Sequence, residues 1–237
     1  MTRSATADLE RLIGIRRALT AALADLVFAP PVAVVYNPLA YAAALHDAWL
    51  RRYGSGTGRI LLLGMNPGPW GMAQTGIPFG DAGCVRDFLD LQGTVGQPPV
   101  VHPKRPVQGL DCPRGEVSGQ RLWGWAQSRF GTAEAFFQRF FVSNYCPLAF
   151  MEASGRNRTP DKLPAQEREP VFAACDRALR SLVEVLQPER VIGIGAFAEQ
   201  RARTALAGQC IAIGRILHPS PASPVANRGW AEAADAG

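Results

Sequence analysis

The chain has 237 residues, of which 47% are hydrophobic and 19% charged, a balance that supports a packed core and excludes a disordered or fibrous polypeptide. A formal net charge of +5 with a pI near 9.2 suits a polyanionic partner, although charge alone selects no function. Cys84, Cys112, Cys146, Cys175 and Cys210 are odd in number, widely spaced and free of C-x-x-C pairs, which argues against a disulfide framework and against a zinc or iron–sulfur site. They read as reduced thiols, and neither metal nor cofactor is expected.

Within residues 1–30, Leu9, Leu12, Ile13, Leu19, Leu23 and Leu26 fall at helical spacing and predict an amphipathic first helix. Asp8, Glu10, Arg11, Arg16 and Arg17 interrupt it, unlike a secretory signal, and no stretch has the length of a membrane span. The expectation is a soluble monomer without membrane contact, cytoplasmic in a bacterium or nuclear in a eukaryote. Tyr41, Leu45 and Trp49 mark a second helix. Arg59 to Leu63 is a short apolar run that reads as a buried strand and stops at a Gly/Pro-rich loop, Gly64 to Gly80. A Gly/Pro-rich excursion from Gln92 to Gly119 follows. Helical patterns are then predicted at Gln120–Arg129, Pro164–Leu186 and Phe197–Leu206, and strands at Phe140–Ser143, Arg190–Ile194 and Ile211–Leu217, with Arg156 to Pro160 as a polar loop.

Strands that alternate with helices imply a single α/β domain over 1–237, a three-layer αβα arrangement around a four-stranded, mainly parallel sheet. Such sheets hold ligands at the carboxyl ends of their strands. The segments beginning at Gly64, Asn144 and His218 each follow a predicted strand, so they are expected to meet in one pocket.

Each of these segments has a plain and a chemical reading. Around Asn66, glycines and prolines fix an unusual path for one amide side chain; the loop lacks the ending of a P-loop and the dinucleotide fingerprint, and a rigid turn is the plain alternative. His218 stands at a strand end before a Pro/Ser turn in which Ser223-Pro224 resembles a helix N-cap followed by proline. Free amides at such a helix start can hold a phosphate. Asn144 offers a donor and an acceptor, as the edge of a pyrimidine requires, but could equally be a turn residue. His46 and His102 are read as structural.

Taken together, GMNPGPWGMAQTGIPFG, HPKRPVQGLDCPRGEVSGQRLWGW, FVSNYCPLAF, SGRNRTPDKLPAQ and HPSPASPVANRGW resemble, in family order over about 34–230, the single-strand-selective monofunctional uracil-DNA glycosylases. The resemblance implies base flipping, the behaviour for which glycosylases are a standing example, and hydrolytic release of uracil from single- and double-stranded DNA. 5-Hydroxymethyluracil and related oxidised pyrimidines are implied as further substrates. It assigns water placement to Asn66 and donation to the departing base to His218, with the second imidazole nitrogen expected on a backbone acceptor. It makes Phe79 the stacking surface, Asn144 the reader of the N3 and O4 edge, and Met65, Gly68 and Met72 the neighbouring wall. Ser220, Pro221, Ala222, Ser223, Asn227 and Arg228 fall in the family's DNA wedge. There Ala222 replaces the basic residue of vertebrate members, and the sequence after Trp230 is short for the helix that follows the wedge. With Lys104 and Lys162 as the only lysines, Schiff-base lyase chemistry has few candidates.

Three other functions fit parts of the sequence. A non-catalytic DNA-binding member has no need of Asn66, Phe79, Asn144 and His218 together. A serine hydrolase built on Ser220 and His218 lacks the Gly-x-Ser-x-Gly elbow. Excision of deaminated purines such as xanthine keeps the class and changes the base.

Overall fold

Four short apolar strands lie side by side in the computed structural model, which describes residues 5–235. Two further strands and a two-residue one form a separate sheet. In chain order the strands are β1 (Val32–Tyr36), β2 (Ile60–Gly64), β3 (Phe140–Asn144), β4 (Ala149–Glu152), β5 (Asn157–Arg158), β6 (Arg190–Ile194) and β7 (Ala212–Ile216). The main sheet runs β3-β2-β6-β7 with every pairing parallel. Its central strands β2 and β6 are almost wholly buried, as expected of a parallel sheet covered on both faces.

Neighbouring residues of β3 show that cover directly, because successive side chains on a strand point to opposite faces. Phe141 stacks on Trp49 of α3 (Ala43–Tyr53) at 4.9 Å between ring centroids. Phe140, facing the other way, stacks on Phe136 of α7 (Ala133–Arg139) at 5.1 Å. The remaining helices are α1 (Ala5–Ala22), α2 (Pro38–Tyr41), α4 (Met72–Thr75), α5 (Ala82–Asp87), α6 (Val117–Phe130), α8 (Ala165–Leu186), α9 (Ala196–Ala205) and α10 (Ala226–Asp235). Helix α1 packs along α8, and α9 on β6 and β7. Among the described residues no helix is long and apolar enough to cross a membrane.

The four predicted strands all appear, with ends displaced by no more than one residue. The antiparallel sheet β1-β4-β5 is new. Part of the segment read as a polar loop is its edge strand β5, where Arg158 pairs with Glu152 of β4 at 3.0 Å. A polar two-residue edge strand carries no alternation from which to predict it. The second predicted helix is two, α2 and α3, divided at Ala42, and α7 was not anticipated; Thr132 caps it through Ala135 N–H at 3.2 Å.

Arg59 sits just before β2, 6% exposed, and forms no ion pair among the described residues. Its guanidinium donates instead to the carbonyls of Tyr53 (2.7 Å), Phe137 (3.2 Å), Gly54 (2.9 Å) and Gly56 (3.1 Å). Burial lowers its pKa to about 10, so it remains charged at neutral pH. Arg59→Met leaves those carbonyls without their donor and is expected to reduce stability by about 3 kcal/mol, since each orphaned buried acceptor costs roughly 1–3 kcal/mol. Urea midpoints measure this, and a midpoint within error of wild type would mean that water replaces the guanidinium.

Candidate functional site

The carboxyl ends of β2, β3 and β7 lie along one edge of the sheet and deliver the three segments to a single cleft of about 410 Å³. Met65, Asn66 and Gly68 line it from the loop after β2, Met72 and Phe79 from the continuation of that loop, Asn144 from β3, and His218 with Ser220 and Pro221 from the segment after β7.

The register of β2 and β3 places Gly64 beside Asn144. A Cβ at Gly64 would stand 2.2 Å from Asn144 Oδ1 and 2.6 Å from the Phe79 ring, so glycine is what lets amide and aromatic share the cleft. Phe79 has φ +55° and is 8% exposed, an unusual backbone for an aromatic residue. Its carbonyl accepts from Trp123 Nε1 at 3.0 Å and Asp81 N–H at 2.8 Å. Gly119 makes room for that carbonyl, because a Cβ there would lie 2.1 Å from it. The turn before Phe79 is held by His46, whose Nδ1–H donates to Gly76 O at 2.7 Å and whose pKa burial lowers to about 4. His46 and His102 are thus structural; His102 accepts from Lys104 N–H through Nδ1 and donates through Nε2 to Glu152 O.

Asn66 uses one amide hydrogen on Leu148 O at 3.1 Å, which fixes the amide and leaves Oδ1 as an acceptor at the cleft. Asn144 Nδ2 meets only Met72 Sδ, at 3.2 Å, and Asn144 Oδ1 is buried without a partner. A buried acceptor left unmade is costly, so Asn144 Oδ1 leaves an unmet demand for a donor at the site. His218 lies against Gly195, where a Cβ would come within 3.2 Å of its own, and its ring centroid is 6.3 Å from that of Phe79. Burial pushes its pKa below the ordinary histidine value, so the imidazole is neutral at neutral pH. The expected backbone acceptor for its second nitrogen is absent among the described residues: Nδ1 is buried with no partner, because a glycine and a phenyl ring are what the imidazole packs against.

The segment expected to form the DNA wedge is a tied loop. Ser220 Oγ accepts from Ala222 N–H at 3.1 Å, and Ser223 Oγ caps α10 through Ala226 N–H at 3.3 Å. Arg121 of α6, unnoticed in the sequence, donates to Pro219 O, Ser220 O and Asn227 Oδ1 at 3.0, 3.4 and 2.8 Å, while Asn227 Nδ2 donates to Pro221 O at 2.9 Å. Asn227 is thereby committed to the loop itself. Ala222 and Arg228 are exposed. The short α10 is anchored by Trp230, buried and donating to Leu217 O at 2.6 Å.

Residues 51–234 match the family model described as the uracil DNA glycosylase superfamily. The chain belongs to this superfamily. Over 218 residues it is 51% identical to the single-strand selective monofunctional uracil-DNA glycosylase of Rattus norvegicus, covering 91% of this chain and 78% of that protein, and the same values hold for its Mus musculus counterpart. The Bos taurus protein of that description is 51% identical over 210 residues, 88% of this chain and 77% of that one. The crystal structure of wild-type Pedobacter heparinus SMUG2 superposes with a TM-score of 0.68 at 19% identity, over 97% of this chain and 94% of that one, which shows the shared fold.

The same cleft also holds a carboxylate that no motif in the sequence singles out. Glu116 caps α6, accepting from Gly119 N–H at 2.7 Å, and its side chain occupies the space that side chains at Gly68 and Gly71 would fill. Burial is the main reason that its pKa lies above the usual carboxylate range, with the nearby Asp81 charge adding to it.

Proposed function

We propose that this chain hydrolyses the N-glycosidic bond of deoxyuridine in DNA and leaves an abasic site with the strand intact. The observation that carries the reading is the convergence on one cleft of a neutral His218, a fixed Asn66 with its carbonyl oxygen free, the Phe79 ring and the unpartnered Oδ1 of Asn144. Uracil N3–H is a donor of the kind that Asn144 Oδ1 lacks, and Asn144 Nδ2 can turn from the weak thioether acceptor to uracil O4. Phe79 provides the stacking face.

The bond breaks with positive charge growing on the sugar and negative charge on the base. His218, as a neutral N–H donor, stabilises the charge on uracil O2, and Asn66 Oδ1 orients water for attack on the anomeric carbon. An amide is too weak a base to take the proton early, so leaving-group stabilisation carries most of the acceleration. Gly68 and Met72 form the wall beside C5, where 5-hydroxymethyluracil and related oxidised pyrimidines are accepted. The wedge from Ser220 to Arg228 holds DNA open at the lesion, in duplex as well as single strands. Neither Lys104 nor Lys162 lines the cleft, which supports a product without lyase cleavage.

The test uses labelled single- and double-stranded oligonucleotides carrying uracil, 5-hydroxymethyluracil, thymine, hypoxanthine or xanthine, with and without alkali. Alkali-dependent cleavage at uracil and 5-hydroxymethyluracil, with thymine intact, is the expected result. Absence of uracil release under every condition overturns the reading.

A further inference from the structure

Four residues after Asn66, the same loop presents Trp70, half-buried and flanked by two arginines. The guanidinium carbon of Arg114 lies 4.5 Å from the centre of the indole and that of Arg105 5.1 Å. Neither forms an ion pair among the described residues, and the exposed Lys104 and Arg156 beside them are likewise without one. The Nε of Arg105 is buried with no acceptor. Its guanidinium approaches the turn at Gly155, where a Cβ would stand 3.4 Å from it.

The backbone that carries Arg105 and the loop that carries Trp70 are held in place before any ligand arrives. Arg105 N–H donates to His102 O at 2.9 Å, and its carbonyl accepts from Tyr36 Oη at 2.6 Å. Gln74, fully buried, donates to both Pro69 O (2.9 Å) and Pro106 O (3.0 Å) and accepts from Gln108 N–H (2.8 Å). It therefore staples the residue before Trp70 to the residue after Arg105. Guanidiniums stacked on an indole keep their charge, shed little hydration and present a fork that matches phosphate oxygens. Arg105 and Arg114, free of carboxylates and set over the indole of the loop whose Gly68 and Pro69 line the cleft, form an anion site beside it.

We propose that Trp70, Arg105 and Arg114 bind the phosphodiester backbone of single-stranded DNA next to the nucleotide held in the cleft. This inference rests on the reading of the chain as a DNA glycosylase. Aromatic residues interleaved with arginine along a basic track are the usual means of holding single strands. The site is separate from the wedge.

Anisotropy titrations of a labelled single-stranded oligonucleotide bearing 2′-fluoro-2′-deoxyuridine, at several salt concentrations, test it. Each phosphate contact on a single strand contributes about 0.7 to the slope of log affinity against log salt, so Arg105→Gln/Arg114→Gln is expected to flatten that slope by about 1.4. The Arg105→Lys/Arg114→Lys variant, which keeps the charges, should recover most of it. Arg17→Gln/Arg51→Gln, with the same charge loss on α1 and α3, should change it little and should release uracil at the wild-type rate. An unchanged slope in the folded Gln variant, or an equal change in the α1/α3 control, overturns the proposal. Failure of wild-type protein to release uracil would sink the glycosylase reading while leaving the slope comparison to stand by itself.

Discussion

His218→Ala is expected to slow uracil release in a single turnover by about 10²–10³-fold, the usual cost of removing one donor from a developing anion, while oligonucleotide affinity changes by only a few-fold. Asn66→Ala should show the same split through loss of oriented water. The difference matters because both residues also have structural readings, Asn66 through Leu148 O and His218 through its packing on Gly195. Equal losses in rate and affinity, or a lowered melting temperature that accounts for both, would mean that they only shape the loops. The pH profile adds a signature of its own. Burial lowers the His218 pKa, so its neutral form persists below the ordinary histidine value of about 6.5, and the single-turnover rate should stay level from about pH 8 to about pH 6.5. Stability has the matching sign. For His218 and His46 the unfolded chain takes up protons first, so their contribution is complete above the ordinary histidine value and is lost as pH falls towards about 4, where folded His46 protonates.

The parallel sheet was legible because its strands are brief runs, continuously apolar in β2 and rich in β-branched or aromatic residues in β3, β6 and β7, most of which end in or just before glycine or asparagine, and each pairs with a neighbour in the sheet. The pocket followed from topology, since three unusual segments at three strand ends had to share an edge. What the sequence concealed was longer in range. Strand β5 is Asn157–Arg158, and it exists because the chain returns to β4 with Arg158 against Glu152. Arg121 looks like a surface residue of an amphipathic helix, yet it ties down the segment after His218 through three acceptors. Glu116 did leave a signal, because Glu116-Val117-Ser118-Gly119 stands where a helix begins and its first residue is an acidic side chain able to cap the free N–H groups. That pattern locates the helix; only the fold places the carboxylate against Gly68. The absence of an acceptor for His218 Nδ1 is beyond sequence reasoning altogether, because it depends on which atoms happen to line the far side of one ring.

Asn144→Asp is expected to lower kcat/KM for a uracil-containing strand on the order of 10⁴-fold, because a site built around hydrogen bonds to a base rejects a mismatch in donor and acceptor far more strongly than a change in size. The wild-type amide presents an acceptor with no partner and a donor that meets only Met72 Sδ. An ionised carboxylate keeps the acceptor for N3–H but turns its second oxygen towards uracil O4, so a bond becomes a repulsion at a site closed in by Gly64 and Phe79. The near-isosteric change leaves the register partner Gly64 and the Phe79 ring their space, which makes loss of folding a poor explanation for loss of rate. Single-turnover assays on uracil strands, with circular dichroism as the check on folding, decide the matter. A loss under about ten-fold, far short of the discrimination expected of a hydrogen-bonding site, would remove Asn144 from the recognition of the base and leave Phe79 and His218 to hold it.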